Sequence, residues 1–423
     1  MLRFGAMHGI GLPAVAAFRS PGLSRALRAS ATPISLLHNS LSRRPFNLPG
    51  TVLGNQRRYA QGRYSRYDQQ QHEQPYQDNR YEEESQWEYR PDGPSGGRVL
   101  FLRPIVWTAI FTTSVYYLCT ESFIKHREQL RQRSHYYFGR LGNFYGGSTD
   151  DSQIADIMRD PKVQSLVGWS HAVTGLGHAK TLSRIARLPD WVPLELKRTV
   201  AAFADRWHTL SRGQRCVYTI AALNTVVLGM WQIPRLLPFM ARTFLHDPRT
   251  GRSFTLLTSS FSHREVWHFA FNTIGLVSFG SVVADAMGTE QFTAFYLSAG
   301  VISGLASHLL SPLRAALIIP SLGASGAVYA VVGASMMLNP DSKIALIFLP
   351  FVPISISHAF PALLAYDFLG AILGWQKFGH VAHLTGGLLG IAYVQWGMDQ
   401  WAQLVRAIET QRAKRSKQSS IGR

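Results

Sequence analysis

A serine between glycines sits in an apolar setting. Gly323-Ala324-Ser325-Gly326 lies within the run Ile318 to Leu338, long enough to cross a bilayer. Two chemistries suit it. Small residues let membrane helices approach closely. A serine with backbone room around it can also be a buried nucleophile. That second use needs a base, because a serine hydroxyl is a weak nucleophile near neutral pH. His383 stands 58 residues on, in Ala382-His383-Leu384-Thr385-Gly386. It is either that base or one end of a packing hydrogen bond. Gly386 and Gly390 follow it at i+3 and i+7 and, with Ala382, make a small-residue face for a neighbouring helix. His268 and Asn272, spaced i and i+4, share a helical face. Both can donate to an oxyanion, or bridge two helices. Tyr329, four residues after Ser325, can stack on the histidine or be an ordinary buried tyrosine. Pro320 lies upstream of the tetrapeptide, so Ser325 is expected near a helix N-terminus, where unpaired N–H groups, with Gly323 beside them, suit a developing negative charge.

Rival chemistries lack their residues. The soluble-hydrolase elbow needs G-x-S-x-G after a strand, and position 327 is alanine. H-E-x-x-H is absent, which leaves a zinc protease unsupported, and no metal or cofactor is expected. Tyr366-Asp367 is similar to the first half of an aspartyl intramembrane protease site, but no second intramembrane aspartate motif follows it. Asp367 therefore reads as a structural or helix-end residue, and no carboxylate is placed as a third partner for Ser325 and His383.

The elements that must hold these residues are membrane helices. Of the 423 residues 46% are apolar and 16% charged, against about 25% charged in soluble domains. Apolar segments run over about 215–236, 265–286, 291–311, 318–338, 356–374 and 378–398, and 104–120 is a further uncharged run with Trp107, Tyr116 and Tyr117 towards its ends. Seven spans are expected. The stretch 344–354 is too short to cross and is broken by Pro350 and Pro353. Residues 121–213 are polar and helical in pattern. Leu194, Val200, Phe203 and Trp207 suggest an interfacial helix there.

Charge is unevenly spread. Residues 1–67 hold ten Arg and no Asp or Glu, the composition of a mitochondrial transit peptide, with Arg57-Arg58-Tyr59-Ala60 marking an expected cleavage near 59/60. Residues 60–103 read as a disordered polar linker. The net charge of +18 lies largely in this leader and beside the spans, so nucleic acid is not the expected partner. Cys119 and Cys216 cannot build a disulfide framework.

Taken together, Phe261-Ser262-His263 leading to His268-x-x-x-Asn272, Gly323-x-Ser325-Gly326 with Tyr329, and Ala382-His383-x-x-Gly386-x-x-x-Gly390 resemble the rhomboid family of intramembrane serine proteases over about 255–398. The resemblance implies an all-α polytopic membrane protein: a six-helix rhomboid core over 214–398 preceded by one extra transmembrane helix at 104–120, with a basic tail at 399–423. It assigns Ser325 as nucleophile and His383 as general base. His268, Asn272 and backbone N–H groups near Ser325 go to the oxyanion hole. The family's Trp-Arg pair in the loop after the first core span is not evident between 237 and 263. The leader and the extra span resemble the mitochondrial, presenilin-associated rhomboid-like subgroup. This implies an inner-membrane enzyme cutting single-span membrane proteins; subgroup substrates include a dynamin-like fusion GTPase and, in fungi, cytochrome c peroxidase. The alternative is an inactive rhomboid-like protein that binds client spans. Seven spans would place the tail opposite the N-terminus, with the N-terminus expected in the matrix.

Overall fold

The computed structural model describes residues 99–140, 149–167, 173–313, 319–346, 349–375 and 379–421. The expected transit peptide and all but the last residues of the expected linker lie outside them.

The 104–120 run lies in α1 (Leu102–Arg140), which does not stop where the apolar residues do. Its 39 residues span about 58 Å, roughly twice a bilayer's ~30 Å hydrocarbon core. The polar half is covered by the C-terminal helix, α14 (Met398–Ile421). Ile124 packs with Trp401, Val405 and Ile408. Arg412 pairs with Glu121 and Glu128, and Arg127 with Glu409. The tail beyond 398 is therefore an ordered helix. Composition shows where apolarity ends, but it does not reveal that two polar helices cover one another.

Four short helices follow: α2 (Thr149–Arg159), α3 (Pro161–Val167), α4 (Leu176–Ala186) and α5 (Leu194–Thr209). They close around Val163, Leu166, Leu182, Ile185, Ala201 and Ala204, so the polar segment has its own core. On α5 the core-facing residues are not the apolar stripe named for an interfacial helix, whose Leu194, Val200 and Phe203 lie on the exposed side. Lys197, Ala201 and Ala204 are buried, while Phe203 is 71% exposed.

The remaining helices are α6 (Arg212–Trp231), α7 (Leu237–Thr243), α8 (Thr255–Thr258), α9 (Val266–Met287), α10 (Thr289–Leu310), α11 (Ser325–Leu338), α12 (Ile356–Leu373) and α13 (His380–Ala392), which runs through Tyr393–Gly397 into α14. Among the described residues, three helices are long and apolar enough to cross a membrane, or four if α6 and its continuation count as one. That continuation bends by 99°, at Pro234, whose ring cannot carry on a helical ladder. In the 344–354 region, β1 (Lys343–Leu346) and β2 (Leu349–Ser355) pair antiparallel.

α11 is the centre. Most of its 14 residues are buried, among them Gly326, Ala327, Ala330, Val331 and Ala334. The apolar run expected to span from 318 is helical only from Ser325. Upstream, Ser321 exchanges backbone hydrogen bonds with His246, and Gly323 sits at φ +139, a conformation that L side chains rarely adopt. Proline and a left-handed glycine end the helix there.

Candidate active site

The site begins with two helices in backbone contact. A Cβ built on Gly386 would lie 2.0 Å from the Gly326 carbonyl oxygen, and one on Gly390 would lie 2.0 Å from that of Ala330. Gly333 meets the Gly387 oxygen in the same way, at 2.6 Å. These glycines bring α13 onto α11 at a separation that any side chain would prevent.

Ser325 is the first residue of α11. The first i→i−4 bond of the helix runs from Val328 N to Ala324 O, so the N–H groups of Ser325, Gly326 and Ala327 have no partner within the helix. The approach to Ser325 is held by the loop after α6. Gly323 N donates to Ser259 O at 2.9 Å, and Ala324 N donates to His263 Nε2 at 3.4 Å. Burial, with His268 beside it, pushes His263 down to about 3, so it is neutral and able to accept. Trp231 Nε1 donates to Ser262 Oγ at 2.7 Å, tying the same loop to the end of α6.

His268 lies against Gly323. A Cβ at Gly323 would be 2.7 Å from His268 Cε1 and 3.8 Å from Ser325 Oγ, so the missing side chain lets the imidazole reach the serine's side of the loop. Asn272 is buried one turn along and donates to the His268 carbonyl at 2.8 Å. Gly275, three residues further, meets Val328, so Asn272 belongs to the face of α9 that packs on α11.

His383 lies one turn before Gly386. Its ring stacks on Tyr329, with centroids 4.2 Å apart and planes 12° apart. Tyr329 is one turn after Ser325, so the imidazole lies over the α11 face that carries the serine. Among the described residues Ser325 Oγ makes no hydrogen bond; serine–imidazole contacts commonly tighten when a substrate is bound.

Asp367 lies within α12 and not at its end. Its Oδ1 accepts from His383 Nδ1 at 3.2 Å and from His380 Nδ1 at 2.7 Å, and the carboxylate is 1% exposed. A carboxylate therefore does face His383. Gly374, in the left-handed region at φ 76, reverses the chain so that α12 and α13 lie side by side. Spacing along the chain could not show which of their faces meet. His263 and His380 were also given no role. The signals were present: a lone carboxylate in an apolar helix, and a second histidine one turn before His383.

Residues 250–399 match the rhomboid domain. The chain is 42% identical over 192 residues to the mitochondrial presenilin-associated rhomboid-like protein of Mus musculus, covering 45% of this chain and 51% of that one. It is 40% identical over 199 residues to presenilin-associated rhomboid-like protein A of Danio rerio, covering 47% and 52%. Against the mitochondrial Rhomboid protein 1 of Saccharomyces cerevisiae it is 34% identical over 201 residues, covering 47% and 56%. The chain carries a rhomboid domain similar to those of mitochondrial rhomboids. It spans about half the length of the curated relatives it matches. The chain is a multi-pass, helical mitochondrial membrane protein, and Ser325, His383, His268, Asn272 and Asp367 all fall inside the matched domain.

Proposed function

We propose that this rhomboid is a serine endopeptidase of the mitochondrial inner membrane, cutting single-span proteins in or beside their anchors. The observation that supports the reading is the α11–α13 contact: Ser325 begins α11, and His383 of α13 stacks on Tyr329 one turn further along with its Nδ1 engaged by Asp367. Ser325 Oγ attacks the scissile carbonyl while His383 Nε2 takes its proton. The tetrahedral oxyanion is met by N–H groups at the start of α11, with His268 and Asn272 on the same side. His383 then gives the proton to the leaving amine. Water repeats the sequence on the acyl-enzyme and frees the acid. A helical peptide bond hides its carbonyl, so substrate anchors must unwind locally, and helix-breaking residues at the cut should help.

The test uses purified protein in detergent, a reporter anchor and a fluorophosphonate probe. Wild type cleaves the reporter and is labelled; Ser325→Ala and His383→Ala do neither. Cleavage that persists in Ser325→Ala would remove the serine mechanism. A wild type that is never labelled and never cleaves would favour an inactive client-binding rhomboid.

A further inference from the structure

We propose that Asp367 is a positioning residue for His383 and that His380 in turn holds Asp367. The inference rests on the serine-protease reading and deepens it.

A carboxylate at 1% exposure within a helix of the bundle is tolerated where donors replace its water. Asp367 has two on one oxygen, the Nδ1 atoms of His380 at 2.7 Å and His383 at 3.2 Å. An imidazole that donates through Nδ1 keeps its lone pair on Nε2. That is the nitrogen the mechanism assigns to Ser325. Without the carboxylate, a neutral His383 can take the other tautomer and present a proton where a lone pair is needed. When His383 accepts the serine proton, the new positive charge also forms beside a fixed negative one. Tyr329 clamps the ring plane, with centroids 4.2 Å apart.

The support for His380 is built into α12. A Cβ on Gly370 would lie 2.7 Å from three atoms of the His380 ring. Gly370 is one turn from Asp367, so the glycine admits the imidazole at the level of the carboxylate. His380 is the nearer donor to Oδ1 and fixes the carboxylate's orientation; His383, the farther one, uses its charge. This division gives each of the three side chains one task.

The experiment measures fluorophosphonate labelling of Ser325 in the full chain in detergent, separating its rate from its final extent. Asp367→Asn keeps the shape but offers an amide in place of a carboxylate. The expected result is full labelling at a rate at least about 100-fold slower, with kcat for a reporter anchor falling in parallel and KM little changed. Asp367→Glu should recover part of the rate. His380→Ala should slow labelling less than Asp367→Asn. A wild-type rate in Asp367→Asn overturns the proposal. So does a reduced final extent at the wild-type rate, the mark of a merely structural residue losing folded protein. If Asp367→Asn fails to fold, His380→Ala and Asp367→Glu decide by the same two readings. An unlabelled wild type would instead bring down the protease reading itself, and this inference with it.

Discussion

Among the described residues, His178 and His383 each pair with a carboxylate, and the two pairs are set up differently. In the α2–α5 module, His178 Nε2 lies 2.7 Å from Asp205 Oδ1, and its ring stacks on His208 at 4.7 Å. In the core, His383 Nδ1 lies 3.2 Å from Asp367 Oδ1, and its ring stacks on Tyr329 at 4.2 Å. The difference is in the remaining nitrogen. His178 Nδ1 accepts from the Thr174 backbone N–H at 3.3 Å and faces the Thr174 hydroxyl at the same distance. Thr174 is four residues away, just before the start of the same helix, so that imidazole is saturated by a local cap. In the core the serine belongs to another helix 58 residues away, and among the described residues Nδ1 alone of the His383 ring is engaged. A saturated imidazole stabilises a fold; one with a lone pair to spare, on a helix packed against the one that carries a serine, is available for chemistry.

The sharpest way to break this comparison is to remove each hydroxyl. Ser325→Ala should cut reporter cleavage by about 10³-fold or more, whereas Thr174→Ala should leave it within about two-fold, since a lost cap acts on stability at a distance. Equal losses in cleavage from the two variants would mean that the module trio belongs to the working machinery.

Next in size are the glycines. Gly390→Ala and Gly386→Ala each drive a methyl group to 2.0 Å from a carbonyl oxygen. The helices must part, at a cost of about 3 kcal/mol or more, and cleavage should fall with stability because His383 moves away from Ser325. In the module, Gly177 has nothing within 4 Å of a Cβ, and Gly177→Ala within α4 should gain up to about 1 kcal/mol. Thermal unfolding in detergent reads both. A tolerated Gly390→Ala would show that the close α11–α13 approach is not needed.

Much of this site could be read from residue types. Ser325, His383, His268, Asn272 and the glycines stood out because small and polar residues are costly or unusual at membrane depth. Tyr329 followed from the helical period. What could not be read was three-dimensional choice of face. Asp367 is 16 residues from His383, and nothing in that spacing shows that Gly374 folds the two helices together. The length of α1 was hidden for a related reason: Glu121 and Arg127 look like the end of a span until Arg412 and Glu409 arrive from the far end of the chain to pair with them. The short α11 was half visible, since Pro320 was there to be seen, but the strand-like pairing of Ser321 with His246 is a long-range contact with no local signature.

The module pair itself offers a smaller effect. His178→Ala leaves Asp205 and the Thr174 N–H without this partner and opens a gap beneath α4. Destabilisation of about 1–3 kcal/mol is expected, with Ser325 labelling rate unchanged. A slower rate in this variant would tie the module to the active site.

The smallest effect concerns a histidine pair with no carboxylate between its rings. His246 Nε2 and His308 Nδ1 are 3.0 Å apart, His246 Nδ1 meets Thr255 Oγ1 at 2.8 Å, and His308 Nε2 donates to the Leu100 carbonyl at 2.8 Å. Burial and the neighbouring His308 push His246 down to about 3, against an ordinary value of 6.5. Between those two pH values the unfolded chain binds a proton that the folded chain refuses, so stability rises with pH there. The contribution is complete above about 6.5 and is lost progressively as pH falls towards 3. Over the first unit below 6.5 the loss is about 1 kcal/mol. His246 is also the residue whose backbone hydrogen-bonds Ser321, two residues before Gly323. Melting in detergent at pH 7.5 and 5.5 should therefore differ by a few degrees at most, and His246→Gln, which cannot titrate, should narrow the difference. A difference that survives His246→Gln in full would assign the acid sensitivity to other groups and leave the histidine pair a neutral hydrogen-bonded strut.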